Sequence, residues 1–153
     1  MKIAKRMDWK IEDLPAQRTV ISLDRSLEPH EMERVRCGLV PAQMEDKWFI
    51  FWEDDALYFH RSWTGFCIYA VYFKRDGDLY RIVSADVNRD PEQYKGVSDE
   101  RDAELISYLV DTLLLRQSAA FPRSTHESGE SALEKWSLVG RAALGEHPDD
   151  EWR

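Results

Sequence analysis

Apolar and polar positions alternate with a period of two through residues 47–88, KWFIFWEDDALYFHRSWTGFCIYAVYFKRDGDLYRIVSADVN, in four aromatic-rich runs separated by three turn signals. This pattern predicts an antiparallel meander of four strands with apolar side chains on both faces. Upstream, β-branched residues 19–23 predict a short edge strand. Pro29 opens a helix expected to run to Cys37, with Gly38 as its stop and Pro41 beyond it. Downstream, Leu105, Ile106, Leu109, Val110, Leu113 and Leu114 form a helical stripe behind the acidic first turns Asp99, Glu100, Asp102 and Glu104. A further helix is expected around Leu133, Trp136, Gly140, Ala143 and Leu144, ending at Gly145. Strands followed by helices predict a single α+β domain over residues 1–153, a meander of four or five strands packed against two or three helices. Residues 1–17 form an N-terminal arm and residues 146–153 an acidic tail.

The turns set an expected register. Asp76-Gly77 as a two-residue hairpin loop pairs Arg75 with Asp78, Phe73 with Tyr80, Tyr69 with Ser84 and Cys67 with Asp86. A four-residue loop over 62–65 pairs Arg61 with Phe66 and His60 with Cys67. A three-residue loop over 53–55 sets Trp48 opposite His60. Alternation then gives one core face to Phe49, Phe51, Leu57, Phe59, Phe66, Ile68, Ala70, Val83, Ala85 and Val87.

Length and composition add bounds. A chain of 153 residues buries a core without staples. Cys37 and Cys67 follow no positively charged, apolar leader, which predicts free thiols in the cytoplasm. No apolar run approaches membrane-span length. The net charge of −8 repels phosphate backbones and argues against general nucleic-acid binding. Six Trp, six Tyr and six Phe exceed what a small core needs and point to a stacking or partner surface.

His60-Arg61-Ser62-Trp63-Thr64-Gly65 fills one turn with hydrogen-bonding side chains and is the leading candidate site. Trp48, Tyr58, Asn88 and Arg89 are expected beside it, so that Arg61 and Arg89 offer planar forks to an anion. Against that stands a plain salt bridge from either arginine to Asp90 or Glu92. The register aligns His60, Cys67 and Asp86 as a candidate catalytic row. Its order places the thiol, not the imidazole, in the centre, where Asp86 opposes thiolate formation; a buried core cysteine is the simpler reading. His30, Glu33 and Cys37 share one helix face but lack a fourth ligand, and no metal or other cofactor is expected. No phosphate loop and no nucleophile elbow is present.

The segments Glu45-Asp46-Lys47-Trp48-Phe49 and Leu57-Tyr58-Phe59-His60-Arg61-Ser62-Trp63-Thr64-Gly65 together resemble a pattern recurring in a family of small uncharacterised bacterial and phage proteins. The resemblance covers the central third of the chain, implies a bacterial or phage origin, and transfers no catalytic residue. Two functions of different class follow. One is a non-enzymatic module that binds a small anionic or aromatic ligand, or a peptide, through the turn. The other is a small hydrolase or transferase using His60 with Cys67 or Asp86. Homo-oligomerisation through the same aromatic patch is compatible with either.

Overall fold

The computed structural model describes residues 3–116. The expected helix around Leu133 and the acidic tail lie outside the described residues. Five strands form one antiparallel sheet: β1 (Arg18–Leu27), β2 (Trp48–Glu53), β3 (Ala56–Arg61), β4 (Cys67–Asp76) and β5 (Leu79–Asn88). Their spatial order is β1-β5-β4-β3-β2, so the meander runs in sequence order and the first strand joins its far edge beside β5. Helix α1 (Pro29–Cys37) has the predicted limits, with Pro29 in its first turn and Gly38 at φ +64° as its stop. Helix α2 (Asp99–Leu109) begins on Ser98, whose hydroxyl accepts from the Arg101 N–H. A π-helical turn, Val110–Leu114, continues it. A five-stranded antiparallel sheet with two helices makes the described part an α+β fold.

Both helices cover one face of the sheet. Met32 and Val35 of α1 and Leu105, Ile106 and Leu109 of α2 are buried, and most of them join Trp48, Ile50, Leu57, Phe59, Tyr69, Val71, Ile82, Ala85 and Val87 in the main core. The opposite face carries a smaller cluster, in which Phe49 and Phe51 pack with Ala4 under Trp9, Ile11 and Tyr58. The N-terminal arm therefore serves as the second cover. Its main chain is tied down by hydrogen bonds from the Ala4 N–H to the Cys37 carbonyl and from the Glu12 N–H to the Gly65 carbonyl.

Two expected registers are corrected. The β2–β3 loop has two residues, Asp54 and Asp55, both at positive φ (53° and 63°), the signature of a type I′ turn. Trp48 consequently pairs with Arg61, and Phe49 with His60. This one-residue slip turns the whole of β2 over. Trp48 and Ile50 enter the helix-side core, while Phe49 and Phe51 leave the expected core face for the arm side. At the β4–β5 hairpin the loop is Gly77-Asp78, with only Gly77 at positive φ, as in a type II′ turn. Arg75 pairs with Tyr80, Phe73 with Ile82 and Tyr69 with Val87; Asp86 stands opposite Ala70, not Cys67. Irregularities at Phe59/His60 and Tyr72/Phe73 add further offsets. The His60–Cys67 pair and the Arg61–Phe66 hydrogen bond occur as expected.

Candidate functional site

The corrected register divides the expected site between the two faces of the sheet. On the helix side, Trp48 stacks on Tyr69 at 6.1 Å between ring centroids, and the Arg61 guanidinium lies 5.0 Å from the Trp48 ring. Burial lowers the pKa of Arg61, opposed by the phenols of Tyr94 and Tyr69. Arg89 reaches the same end of the sheet, and the anion it holds belongs to the chain. Its Nη2 donates to Asp102 Oδ2 at 2.6 Å and to Asp99 Oδ1 at 2.8 Å. Asp102, only 1% exposed, also accepts from the hydroxyls of Tyr69 and Tyr94 through Oδ1. The salt-bridge reading of Arg89 is thus correct in kind, with Asp99 and Asp102 in place of Asp90 and Glu92. Asn88 is wholly buried, donating to the Cys67 carbonyl and to Gln93 Oε1 while its own oxygen accepts from the Asp90 N–H. These groups form a closed polar clasp between α2 and the sheet.

Much of the turn itself is also consumed by structure. The Ser62 hydroxyl donates to the Asp46 carbonyl, its N–H to the Lys47 carbonyl, and its own carbonyl accepts from Trp9 Nε1. Gly65 adopts φ +81°, and a Cβ there would come within 2.6 Å of the Lys10 carbonyl oxygen; only glycine lets the arm approach. Trp63 is 52% exposed, with its indole N–H on the Met44 carbonyl.

His60, Cys67 and Tyr58 face the arm side. Together with Arg6, Asp13, Leu14, Arg18, Ala70 and Tyr72 they line a cavity of about 260 Å³ between the arm and the sheet. His60 is 3% exposed, stacked on Phe51 at 5.6 Å. Its Nδ1 lies 2.9 Å from the Gly65 carbonyl oxygen. A carbonyl can only accept, so Nδ1 carries the proton and Nε2 presents a lone pair. Nε2 has no hydrogen-bond partner among the described residues. Burial lowers the imidazole pKa against the opposing hydrogen bond from Gly65, which favours this neutral form at pH 7.

Cys67 is 2% exposed, its thiol directed at the Tyr69 carbonyl at 3.6 Å, and burial raises its pKa to about 12. Asp86 shares this face but is held by the Tyr72 hydroxyl at 2.9 Å and by Arg18 at 3.6 Å. The cavity's cations differ in their commitments. Arg6 donates through Nε to Glu53 and lies over the Phe51 and Tyr58 rings. Arg18 gives Nε and Nη2 to the Pro15 and Leu14 carbonyls, while among the described residues Nη1 has only the long ion pair to Asp86.

Arg6, Asp13 and Arg18 line this cavity, and sequence reading missed them. Their place depends on the arm folding back over the sheet, and the only local signal was the run of apolar anchors Ile3, Trp9 and Ile11 among basic residues. No group of three or more His, Cys, Asp and Glu side chains suited to a metal ion occurs among the described residues. No described helix is long and apolar enough to cross a membrane. Comparisons with protein-family models, with curated proteins and with solved structures found no match for the chain.

Proposed function

We propose that the protein is a non-enzymatic binding module whose ligand, a small hydroxycarboxylate, occupies the cavity between the arm and the sheet. The observation that carries this reading is the unpartnered Nε2 of a nearly fully buried His60 lining a cavity. Nε2 offers a lone pair to which a ligand hydroxyl can donate. Arg18 Nη1, whose ion pair to Asp86 is long at 3.6 Å, is the donor that fits the carboxylate. The apolar walls, Leu14 and Ala70 with the ring of Tyr58, suit a short carbon skeleton or an aromatic ring.

An enzymatic reading finds less support. A thiol whose pKa is about 12 is not a nucleophile at neutral pH, and Asp86 does not orient the imidazole, whose Nδ1 is taken by Gly65.

The test is calorimetric titration with lactate and salicylate, beside their amides as neutral controls. Binding of the acids, weakened at least tenfold in the amides and in Arg18→Met, is expected. His60→Asn keeps a donor for the Gly65 carbonyl and removes Nε2; it should abolish binding while retaining the fold. Equal affinity of wild type and His60→Asn for the acids, or no binding by the wild type, overturns the reading.

A further inference from the structure

We infer that residues 13–16 are a lid over the cavity between the arm and the sheet, latched by the Arg18 side chain, and that this lid opens without unfolding the sheet; its use as a ligand gate rests on the binding site proposed above. The sheet side of the cavity offers almost no surface to solvent. His60 is 3% exposed, and Cys67 and Ala70 are each 2% exposed. Asp13, Leu14 and Arg18 line the same space from the other side. A molecule that is to reach His60 Nε2 must therefore displace part of the arm.

The main chain marks the part that can move. The Glu12 N–H donates to the Gly65 carbonyl and the Arg89 N–H to the Gln17 carbonyl, so the chain is fastened on both sides of the segment. Among the described residues, no main-chain hydrogen bond joins residues 13–16 to the rest of the fold. Pro15 has no N–H to offer. The polar hold on the segment comes from the first residue of β1: Arg18 donates from Nε to the Pro15 carbonyl at 2.8 Å and from Nη2 to the Leu14 carbonyl at 3.1 Å. The Arg18 side chain is 39% exposed, so water competes for both bonds. Leu14 and Pro15 are half-buried while Asp13 and Ala16 are exposed, so opening uncovers little apolar surface. Few buried contacts and a few exposed hydrogen bonds are what let a segment open on its own. A carboxylate on Nη1 would leave Nε and Nη2 on the lid carbonyls, so the group that latches the lid also holds the ligand.

Alkylation of Cys67 by iodoacetamide in the full chain, without ligand, tests this when followed by mass spectrometry over a urea series below the unfolding transition. Cys67 lines the cavity and reacts only when its cover opens. Opening of so short a segment exposes little surface, so the rate should stay flat with urea until the transition begins. Arg18→Lys keeps the charge beside the thiol but cannot reach two carbonyls with a planar fork, and should raise the flat rate about tenfold. Glu53→Gln weakens the tie from Arg6, which belongs to the arm outside the lid, and should leave the rate unchanged. A wild-type rate that climbs from zero urea with the full slope of global unfolding overturns the inference. So does an Arg18→Lys rate equal to that of the wild type, or a Glu53→Gln rate raised as far as that of Arg18→Lys. With no ligand present, these rates judge the lid alone, whereas the calorimetric titration judges the binding site.

Discussion

His60 Nδ1 donates to the carbonyl of Gly65 five residues on, and this 2.9 Å bond does two jobs: it closes the turn between β3 and β4, and it fixes which imidazole nitrogen faces the cavity. The same Gly65 carbonyl accepts from the Glu12 N–H, so the turn, the arm and the tautomer are set together.

A pH dependence of stability follows from His60. Its folded pKa lies below the ordinary imidazole value of 6.5, so the unfolded chain binds the proton more readily. The stabilising contribution is present above the unfolded value and is lost as the pH falls through the folded one. Denaturant midpoints should drop on acidification below about pH 6.5, and His60→Asn should flatten that part of the profile. An unchanged slope in the variant would place the titration elsewhere.

The thiols should react very differently. Cys67 is buried with its pKa raised, whereas Cys37 is part-exposed beside Gly38. Iodoacetamide at pH 7.5 should modify Cys37 first and Cys67 only as the protein opens, read by mass spectrometry of peptides. Rapid labelling of Cys67 that His60→Ala suppresses would instead indicate an activated nucleophile.

Breaking the helix-side clasp should be costly. Asp102→Ala takes one of two carboxylates from Arg89, which keeps Asp99, and removes the carboxylate that the Tyr69 and Tyr94 hydroxyls share, an expected loss of about 1–3 kcal/mol in chemical denaturation. Tyr94→Phe removes one hydroxyl and should cost about 1 kcal/mol. If Asp102→Ala retains wild-type stability, the network contributes nothing to the docking of α2.

The hairpin at Asp54-Asp55 holds two non-glycine residues at positive φ. Asp55→Gly should raise stability by about 0.4–1 kcal/mol, because glycine adopts that region without strain. A loss of stability would mean that the Asp55 side chain is needed.

Element types were legible from alternation and punctuation alone. The period-two runs gave the four strands of the meander, and Pro29 with Gly38 marked where α1 starts and stops. Register was less so. Asp54-Asp55 does not carry the glycine that usually marks a two-residue type I′ loop, and reading it as three residues turned β2 over. At Asp76-Gly77-Asp78, one glycine serves either of two adjacent loops, and the choice displaced Asp86 from Cys67. The candidate site inherited these slips. His60, Cys67 and Tyr58 do gather, but Trp48, Arg61 and Arg89 belong to the other face. The arginines nearest the imidazole come from the arm and the start of β1, and no local pattern announces such long-range contacts.

The most direct measurement is the long-range nitrogen–proton NMR spectrum of the His60 ring at pH 7.5 as salicylate is added. Before addition, Nδ1 should show the protonated-type shift and Nε2 the lone-pair type; on addition, the Nε2 resonance should move toward lower shift as it accepts the hydroxyl, with Nδ1 unaltered. A ring protonated at Nε2, or an Nε2 resonance unmoved at saturating salicylate, would contradict the assignment of this cavity as the binding site.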